Sequence, residues 1–403
     1  MNNEYYLGGN KSQAYISYKV ISSVSAQGYR QGQHTVIRRF RDFSWLKSRL
    51  RSCYKGAIVP ALPEKNVLEK YKMTDDFIEA RRIALGVFLR RVAAHPLLSD
   101  SADLRLFLQA DETEFAIESS RLSAEMGDVG KSSGTVAQKT FNTAAKLLRK
   151  FALSTGTVQS TIQTNTSRHG RLTSDAEESS EYLKIRAYFW ELESHLAEAH
   201  KQAEKLIRQQ TALSNSLADF GNSLSVLARL QQLGNEDVPT EGTDSTVQAL
   251  KDLETKASMV SKLYSESSHR LLRAFEAPMK EFMRSVRSAK KAMEERAEAL
   301  AARERARAEV DAHRARLTRI RNTPGMKEER VMEAERDLQT ALTQADAESK
   351  TYLEIVQRMD TDLVRFQRER VQEMELVLQK FAIAEASMAG EMAQIWGRSD
   401  NHQ

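Results

Sequence analysis

The stretch HTVIRRFRDFSWL, residues 34–46, changes from a strand pattern to a helix pattern within a few positions. It places Arg38, Arg39 and Arg41 around Phe40, immediately before an apolar run. Arginines are common on solvated strand edges, where they discourage edge-to-edge pairing. They also bind phosphate groups, because the guanidinium presents a planar fork of donors. The rest of the chain decides between these two interpretations.

Basic charge is concentrated in the first part of the chain. The 403 residues carry 60 Lys and Arg against 55 Asp and Glu, a formal net charge of +5. Residues 1–110 hold 18 basic and 9 acidic residues, a net of +9, which leaves a net of −4 for residues 111–403. The N-terminal part is therefore expected to seek an anionic partner, such as a lipid head group or nucleic acid.

The composition and motifs argue against several protein classes. Cys53 is the single cysteine, which excludes an intramolecular disulfide and a zinc–cysteine cluster. No signal-peptide segment and no apolar run of about 18 residues occur, so we expect any membrane contact to be peripheral. The phosphate-loop motif GxxxxGK[ST] is absent, and His195 and His200 do not have the i, i+4 spacing of a helical metal pair. The sequence predicts a non-enzyme with no metal and no cofactor.

The first 110 residues combine strands and helices. Residues 13–40 alternate apolar and polar positions around the turn-forming stretch GYRQGQ, which predicts antiparallel strands. After Asp42 the pattern becomes helical. A loop with two prolines follows, and then helical patterns cover residues 75–98 and 103–110.

The remainder of the chain predicts long helices. Residues 97–238 contain no proline, and coiled-coil-like spacing of apolar residues runs through 183–233, 247–321 and 327–396. Three antiparallel helices joined by short loops are the expected arrangement. Their exposed apolar stripes predict a dimer, and Pro278 predicts a kink in the second helix.

Three motifs in register resemble the PX domain of the sorting nexins: RRFRDFSW (38–45), PALPEK (60–65) and FIEARRIALGVFLRRVAAHPLL (77–98). The long helical half is similar to the BAR domain that follows PX in the sorting nexin–BAR subfamily. The resemblance implies an α+β PX domain, with a small antiparallel sheet plus helices, followed by an all-α, three-helix, coiled-coil-like BAR domain that is dimeric. The expected divisions are an N-terminal tail over 1–10, the PX domain over 11–112, a linker over 113–174 that contains an amphipathic helix over 137–153, the BAR dimerisation and curvature domain over 175–397, and a C-terminal tail over 398–403.

The PX resemblance implies a phosphoinositide site. It assigns Arg39 to the 3-phosphate of phosphatidylinositol 3-phosphate, and Phe40 to stacking beneath the inositol ring. Lys65 is implied for the 1-phosphate, and Arg81 for the inositol hydroxyls. Two positions depart from the family pattern: Phe40 stands where tyrosine is frequent and keeps only the stacking, and Arg41 stands where serine is frequent, so no phosphorylation switch is expected there.

The neighbours of these residues have mainly structural interpretations. Arg38 is expected to be a strand-edge or structural charge rather than a ligand. Phe43 and Trp45 are expected in the core. For Val59 and Leu62 in the proline loop, insertion into lipid and packing of the loop are both open.

The stretch AQKTFNTAAKLLRKFAL, residues 137–153, is strongly amphipathic. An apolar face opposite a basic face is typical of a helix that lies in a membrane interface, and the sorting nexin resemblance implies such a helix before the BAR domain. An ordinary helix packed on the bundle is the alternative. The candidate membrane-contacting residues are Phe141, Leu147, Leu148 and Phe151 on the apolar face, and Lys146, Arg149 and Lys150 on the basic face.

A third basic feature lies between the second and third long helices. Residues 312–327 contain basic residues and no acidic ones. The BAR resemblance implies that this loop is a tip where cations touch anionic lipid, whereas charges on long helices are usually solvated. The candidates are Arg314, Arg316, Arg319, Arg321 and Lys327.

The predicted function is that of a peripheral endosomal membrane protein. The resemblance implies binding of phosphatidylinositol 3-phosphate, membrane curvature, and retromer-linked sorting on the cytoplasmic face of endosomes, including prevacuolar compartments and the trans-Golgi network. Its implied partners are that lipid, a second copy or another sorting nexin, and retromer core subunits. Nucleic acid is not expected, because the basic excess lies in the lipid-like motif. A coiled-coil adaptor that scaffolds trafficking partners without bending membrane is the alternative.

Overall fold

The computed structural model of the protein describes residues 5–8, 15–64, 75–131, 178–237, 243–324 and 327–397. Its N-terminal domain contains a three-stranded antiparallel sheet in the order β1–β2–β3. The strands are β1 Tyr5–Gly8, β2 Tyr15–Val24 and β3 Gly32–Arg39. Strand β1 lies within residues 1–10, the predicted N-terminal tail, and its backbone pairs with the edge of β2.

Four helices complete the N-terminal part of the chain: α1 Phe40–Cys53, α2 Asp75–Ala94, α3 Ala102–Gln109 and α4 Glu112–Lys131. Helix α1 begins before Asp42, earlier than predicted, because the Asp42 carboxylate caps its first turn. Asp42 Oδ2 accepts a hydrogen bond from the backbone N–H of Arg39 at 2.7 Å.

Helix α4 occupies the start of the segment that was predicted to be a linker over 113–174. The Asp111 carboxylate accepts hydrogen bonds from the backbone N–H groups of Thr113 and Glu114, at 2.9 and 2.8 Å, and so caps the helix. Phe115 then packs into the core of the N-terminal domain, where it is 5% exposed. A cap and one buried aromatic thus extend the folded unit past its predicted end.

Aromatic side chains form the centre of this core. Phe43 is fully buried, with its ring centroid 5.0 Å from that of Phe107. The Trp45 ring meets Phe115 edge-on at 5.1 Å, so the predicted core positions of Phe43 and Trp45 are confirmed. Val59 is buried in the same core and Leu62 packs against it. For these two loop residues the structure favours loop packing over lipid insertion.

The rest of the described chain is helical, as predicted. It comprises α5 Ser180–Asp237, α6 Thr243–Leu271, a π-helical turn Leu272–Glu276, α7 Ala277–Arg321 and α8 Glu328–Gly397. The predicted fold class, a small α+β domain followed by an all-α domain of long helices, is confirmed. Across the described residues, every helix is too short or too polar to cross a membrane.

The π-helical turn ends two residues before Pro278. A proline inside a helix lacks the N–H for the usual bond and its ring clashes with the carbonyl four residues earlier. In the turn the Ala277 N–H donates to the carbonyl of Leu272, one residue further back than in an α-helix. The disruption expected at Pro278 therefore takes the form of one widened turn.

The chain divides into two compact units. The first contains the described residues up to Leu183 together with Ala292–Met359. The second contains Lys184–Lys291 and the described residues from Asp360 onward. Helices α5, α7 and α8 contribute to both units.

In the first unit, the N-terminal domain packs on helices α7 and α8. Arg51 Nε, near the end of α1, donates to Glu295 Oε1 at 3.0 Å. Gly56 lies against the backbone of Ile355, and a Cβ at Gly56 would stand 2.6 Å from the Ile355 carbonyl oxygen. A side chain at position 56 would therefore push the loop after α1 away from α8.

In the second unit, the helices are joined by aromatic and polar contacts. The rings of Phe275 and Phe381 lie 4.6 Å apart. Ser214 and Ser261, both buried, each donate a hydroxyl hydrogen bond to the other's carbonyl, at 2.7 and 2.8 Å. Small residues at this point let α5 and α6 approach closely.

Gly56 offers a test of the packing in the first unit. Its φ is +89°, and Gly32 has a similarly unusual φ of +107° but no atoms within 4 Å of an added Cβ. Both alanine substitutions introduce backbone strain, but only Gly56→Ala also collides with another segment. We expect Gly56→Ala to lower the thermal midpoint by about 2–4 °C more than Gly32→Ala, measured by calorimetry at one protein concentration. Equal losses would contradict the close approach to Ile355.

Candidate functional site

Adjacent arginines at the end of β3 face opposite sides of the sheet. Val36 and Arg38 are buried on the core side, whereas Ile37 is 37% exposed. Because side chains alternate along a strand, Arg39 lies on the side opposite Arg38. Arg39 pairs with Ser17 of β2 and immediately precedes α1.

Arg38 is a buried structural cation. Its Nε donates to the Phe107 carbonyl at 3.0 Å and its Nη2 to the Ala110 carbonyl at 2.5 Å. The guanidinium carbon lies 4.2 Å from the centre of the Phe115 ring, a cation–π contact. Burial lowers the pKa of Arg38 to about 10, so the side chain stays protonated at neutral pH. The structural interpretation of Arg38 is confirmed.

The structure brings Phe40 and Arg81 together next to Arg39. The Arg81 guanidinium carbon lies 5.0 Å from the centre of the Phe40 ring and 4.3 Å from that of Phe77. Arg81 Nη2 also donates to the Glu64 carbonyl at 3.4 Å, a long hydrogen bond. Two aromatic rings and a loop carbonyl thus orient one cation beside the β3–α1 junction.

Tyr18 lies beneath this group. It is 1% exposed, and its hydroxyl lies close enough to the Arg81 guanidinium to interact with it. Burial raises the pKa of the Tyr18 hydroxyl, and the positive charge of Arg81 partly offsets that effect. The hydroxyl therefore keeps its proton at neutral pH and offers a neutral dipole near Arg81.

Phe77 and Tyr18 are not among the predicted site residues. Phe77 stands four residues before Arg81 on α2, a spacing that places two helical side chains side by side and could have identified it. Tyr18 carries no such signal, because its position depends on how β2 packs against α2. Lys65, and the predicted interfacial helix over 137–153, lie outside the described residues.

The predicted tip cations are exposed, as expected, but folding supplies several with acidic partners. The acids come from outside the stretch 312–327. The pairs are Arg314 with Asp311 at 3.3 Å, Arg316 with Asp337 at 2.9 Å, and Arg321 with Glu335. Arg319 and Lys327 have no acidic partner within the described ranges. The tip is therefore less basic than its sequence alone indicates.

Two protein-family models match the chain, one over its N-terminal domain and the other over its long helices. Residues 27–111 match the family model described as PX domain. Residues 157–399 match the model described as Vps5 C terminal like. Together the two models cover most of the chain.

Whole-chain relatives agree with these matches. The chain is 33% identical to Sorting nexin 1 of Arabidopsis thaliana over 388 residues, which cover 96% of this chain and 88% of that protein. It is 23% identical to human Sorting nexin-2 over 398 residues, 96% of this chain and 69% of the relative. Among solved structures, the SNX-BAR Mvp1 tetramer determined by cryo-EM covers 95% of this chain and is itself covered to 94%, with a TM-score of 0.64 at 14% identity, which supports the fold.

The two neighbouring arginines should respond differently to truncation. Arg38→Ala removes charge-assisted hydrogen bonds to the carbonyls of Phe107, Ala110 and Ile37, and leaves the first two buried without that partner. We expect it to lower the free energy of unfolding by about 3 kcal/mol. Arg39→Ala should cost less than about 1 kcal/mol, because the residue is not in the core. Urea unfolding followed by tryptophan fluorescence measures both, and similar losses would refute the structural assignment of Arg38.

Proposed function

This chain belongs to the sorting nexins that combine a PX domain with a BAR domain, and we propose that it recognises phosphatidylinositol 3-phosphate on endosomes through Arg39, Phe40, Lys65 and Arg81. The family consists of non-enzymatic trafficking adaptors that act in endosomal sorting and membrane curvature, which confirms the prediction of a non-enzyme. One observation carries the lipid proposal: the Arg81 guanidinium lies over the ring of Phe40, the residue that follows Arg39 in the chain.

The proposed roles follow from the chemistry of each side chain. Arg39 presents paired N–H donors to the 3-phosphate, which matches the geometry of phosphate oxygens. Phe40 offers an apolar face to the inositol ring. Arg81, held by Phe40 and Phe77, donates to ring hydroxyls, and Lys65 contributes a mobile positive charge to the 1-phosphate.

Arg39→Ala tests the phosphate contact. We expect it to weaken binding to liposomes containing phosphatidylinositol 3-phosphate roughly 100-fold, the equivalent of about 3 kcal/mol for a pair of charge-assisted hydrogen bonds. Binding to matched liposomes with unphosphorylated phosphatidylinositol should hardly change. Co-sedimentation over a lipid titration gives both affinities.

Arg41→Ala is the matched control. Its side chain is 76% exposed and carries the same charge two positions away. Its loss should reduce attraction to any anionic membrane by about 1 kcal/mol, without changing the preference for the 3-phosphate. If Arg39→Ala behaved in the same way, its proposed role would be wrong.

The second unit exposes apolar stripes that suit a dimer interface. On α5, four exposed apolar residues recur every seven positions: Leu206, Leu213, Phe220 and Leu227. On α8, three more do the same: Val364, Val371 and Leu378. Seven-residue repeats of this kind pack against partner helices. We infer that a second copy, or another sorting nexin, covers these stripes, in keeping with the dimerisation implied by the related proteins.

Charge placed in the α5 stripe tests self-association. Leu213→Glu with Phe220→Glu should convert the dimer to a monomer, because two carboxylates would be buried at the interface. Asn215→Glu with Asn222→Glu puts the same charges, with the same spacing, on the opposite face of α5 and should leave the dimer intact. Sedimentation equilibrium distinguishes the states. A monomeric wild-type chain, or a dimer that survives the first pair, would contradict the homodimer.

Dimerisation would bring two lipid sites to one membrane, and linked weak sites gain avidity through effective concentration. The helix predicted over 137–153 and the tip cations Arg319 and Lys327 are proposed as further membrane contacts. From the family we also propose a link to retromer core subunits, and residence on the cytoplasmic face of endosomes, including prevacuolar and trans-Golgi membranes.

An adaptor that binds membrane without bending it is the second candidate. The acidic partners of three tip cations favour it, because paired cations attract lipid less strongly. Electron microscopy of the liposomes used above separates the two functions, since a curvature protein produces tubules and an adaptor leaves the vesicles round.

A further inference from the structure

Three side chains of types that can ligate metals come together in the second unit. His200 and Glu204 lie on α5, and Glu276 is the last residue of the π-helical turn. Their ligating atoms all lie within 4.8 Å of one another. His200 Nε2 and Glu276 Oε1 are 2.7 Å apart.

The burial of Glu276 makes this cluster unusual. The residue is 8% exposed, and glutamate is rarely so buried without a charged partner. Within the described chain its carboxylate has one polar contact, the His200 ring nitrogen. A cation held between the two side chains would neutralise the buried carboxylate.

Glu204 adds a second carboxylate on the same side. It follows His200 by four residues, so both side chains project from one face of α5. Its other charged contact is with Arg208. Arg208 Nη2 lies 3.8 Å from Glu204 Oε2, and the Arg208 side chain is 75% exposed. That distance and exposure make Arg208 a weak competitor for the carboxylate.

We propose that His200, Glu204 and Glu276 form a binding site for Zn²⁺. The set supplies one nitrogen and two carboxylate ligands, and its charge of −2 matches a divalent ion. Zinc accepts imidazole and carboxylate at about 2.0–2.2 Å, which places tetrahedral ligands about 3.4 Å apart. The three groups need only small side-chain movements to reach that spacing. Mg²⁺ and Ca²⁺ prefer all-oxygen sites and are disfavoured by the histidine.

The bound ion would fasten the π-helical turn to α5. The turn lies where Pro278 interrupts the regular hydrogen bonding of the second long helix. A metal bridge there would strengthen a local weak point in the second unit. This inference concerns the helical domain and is independent of the lipid site.

The test uses the full chain, stripped with a chelator and titrated with ZnCl₂ by calorimetry. Wild type should bind one equivalent, and Zn²⁺ should raise its thermal midpoint, whereas Mg²⁺ should not. Glu204→Gln removes one ligand yet keeps the hydrogen bond between His200 and Glu276, so the fold is preserved. It should weaken zinc binding at least about tenfold and abolish the rise in the thermal midpoint, and Glu276→Gln should do the same.

Matched controls lie on the same helix. His195→Gln and Glu198→Gln remove an exposed imidazole and an exposed carboxylate close to the cluster. Both variants should keep wild-type affinity for Zn²⁺. The proposal is overturned if wild type does not bind zinc, if Glu204→Gln and Glu276→Gln bind it as wild type does, or if the control variants lose it.

Discussion

The burial of Arg38 controls the geometry of the proposed lipid site. Its guanidinium is held by the carbonyls of Phe107 and Ala110 and by the Phe115 ring, so β3 is anchored to α3 and α4 at its last core-facing position. The next residue, Arg39, must then face the other way. A shift of one residue would exchange the two arginines and put the proposed phosphate ligand in the core.

The junction that follows is equally constrained. The Asp42 carboxylate caps the backbone of Arg39, which starts α1 at Phe40 without any spacer between strand and helix. Phe40 is therefore positioned by helix geometry, and the guanidinium of Arg81 on α2 lies over its ring. A cation next to an aromatic face is partly ordered before any ligand arrives, which lowers the conformational entropy lost on binding. The neutral hydroxyl of Tyr18 lies under the same cation.

The long helices combine apolar stripes with a few buried polar groups. Heptad spacing supplies enough apolar surface for long helices, but it leaves stripes on α5 and α8 that one chain does not cover. Buried polar groups lie among the apolar contacts of the same helices, such as the hydroxyl pair of Ser214 and Ser261. Glu276 is a more costly polar group to bury, because its carboxylate lies beside a histidine at the π-helical turn. Such groups cost stability unless they are satisfied, and their position beside Pro278 ties the local chemistry to the break in helix regularity.

The sequence by itself determined the order of the domains, the helical runs and the motif that contains Arg39 and Phe40, because these depend on local periodicity and on neighbours along the chain. Even the association of Phe77 with Arg81 could have been predicted from their spacing. The tertiary structure alone decided which contacts join distant segments. Tyr18 reaches Arg81 only through sheet packing, Asp337 and Glu335 reach the tip cations only because α8 returns beside α7, and Glu276 meets His200 only across two helices. Periodicity defines the face of each element, but the partner of that face depends on the packing of residues far apart in sequence.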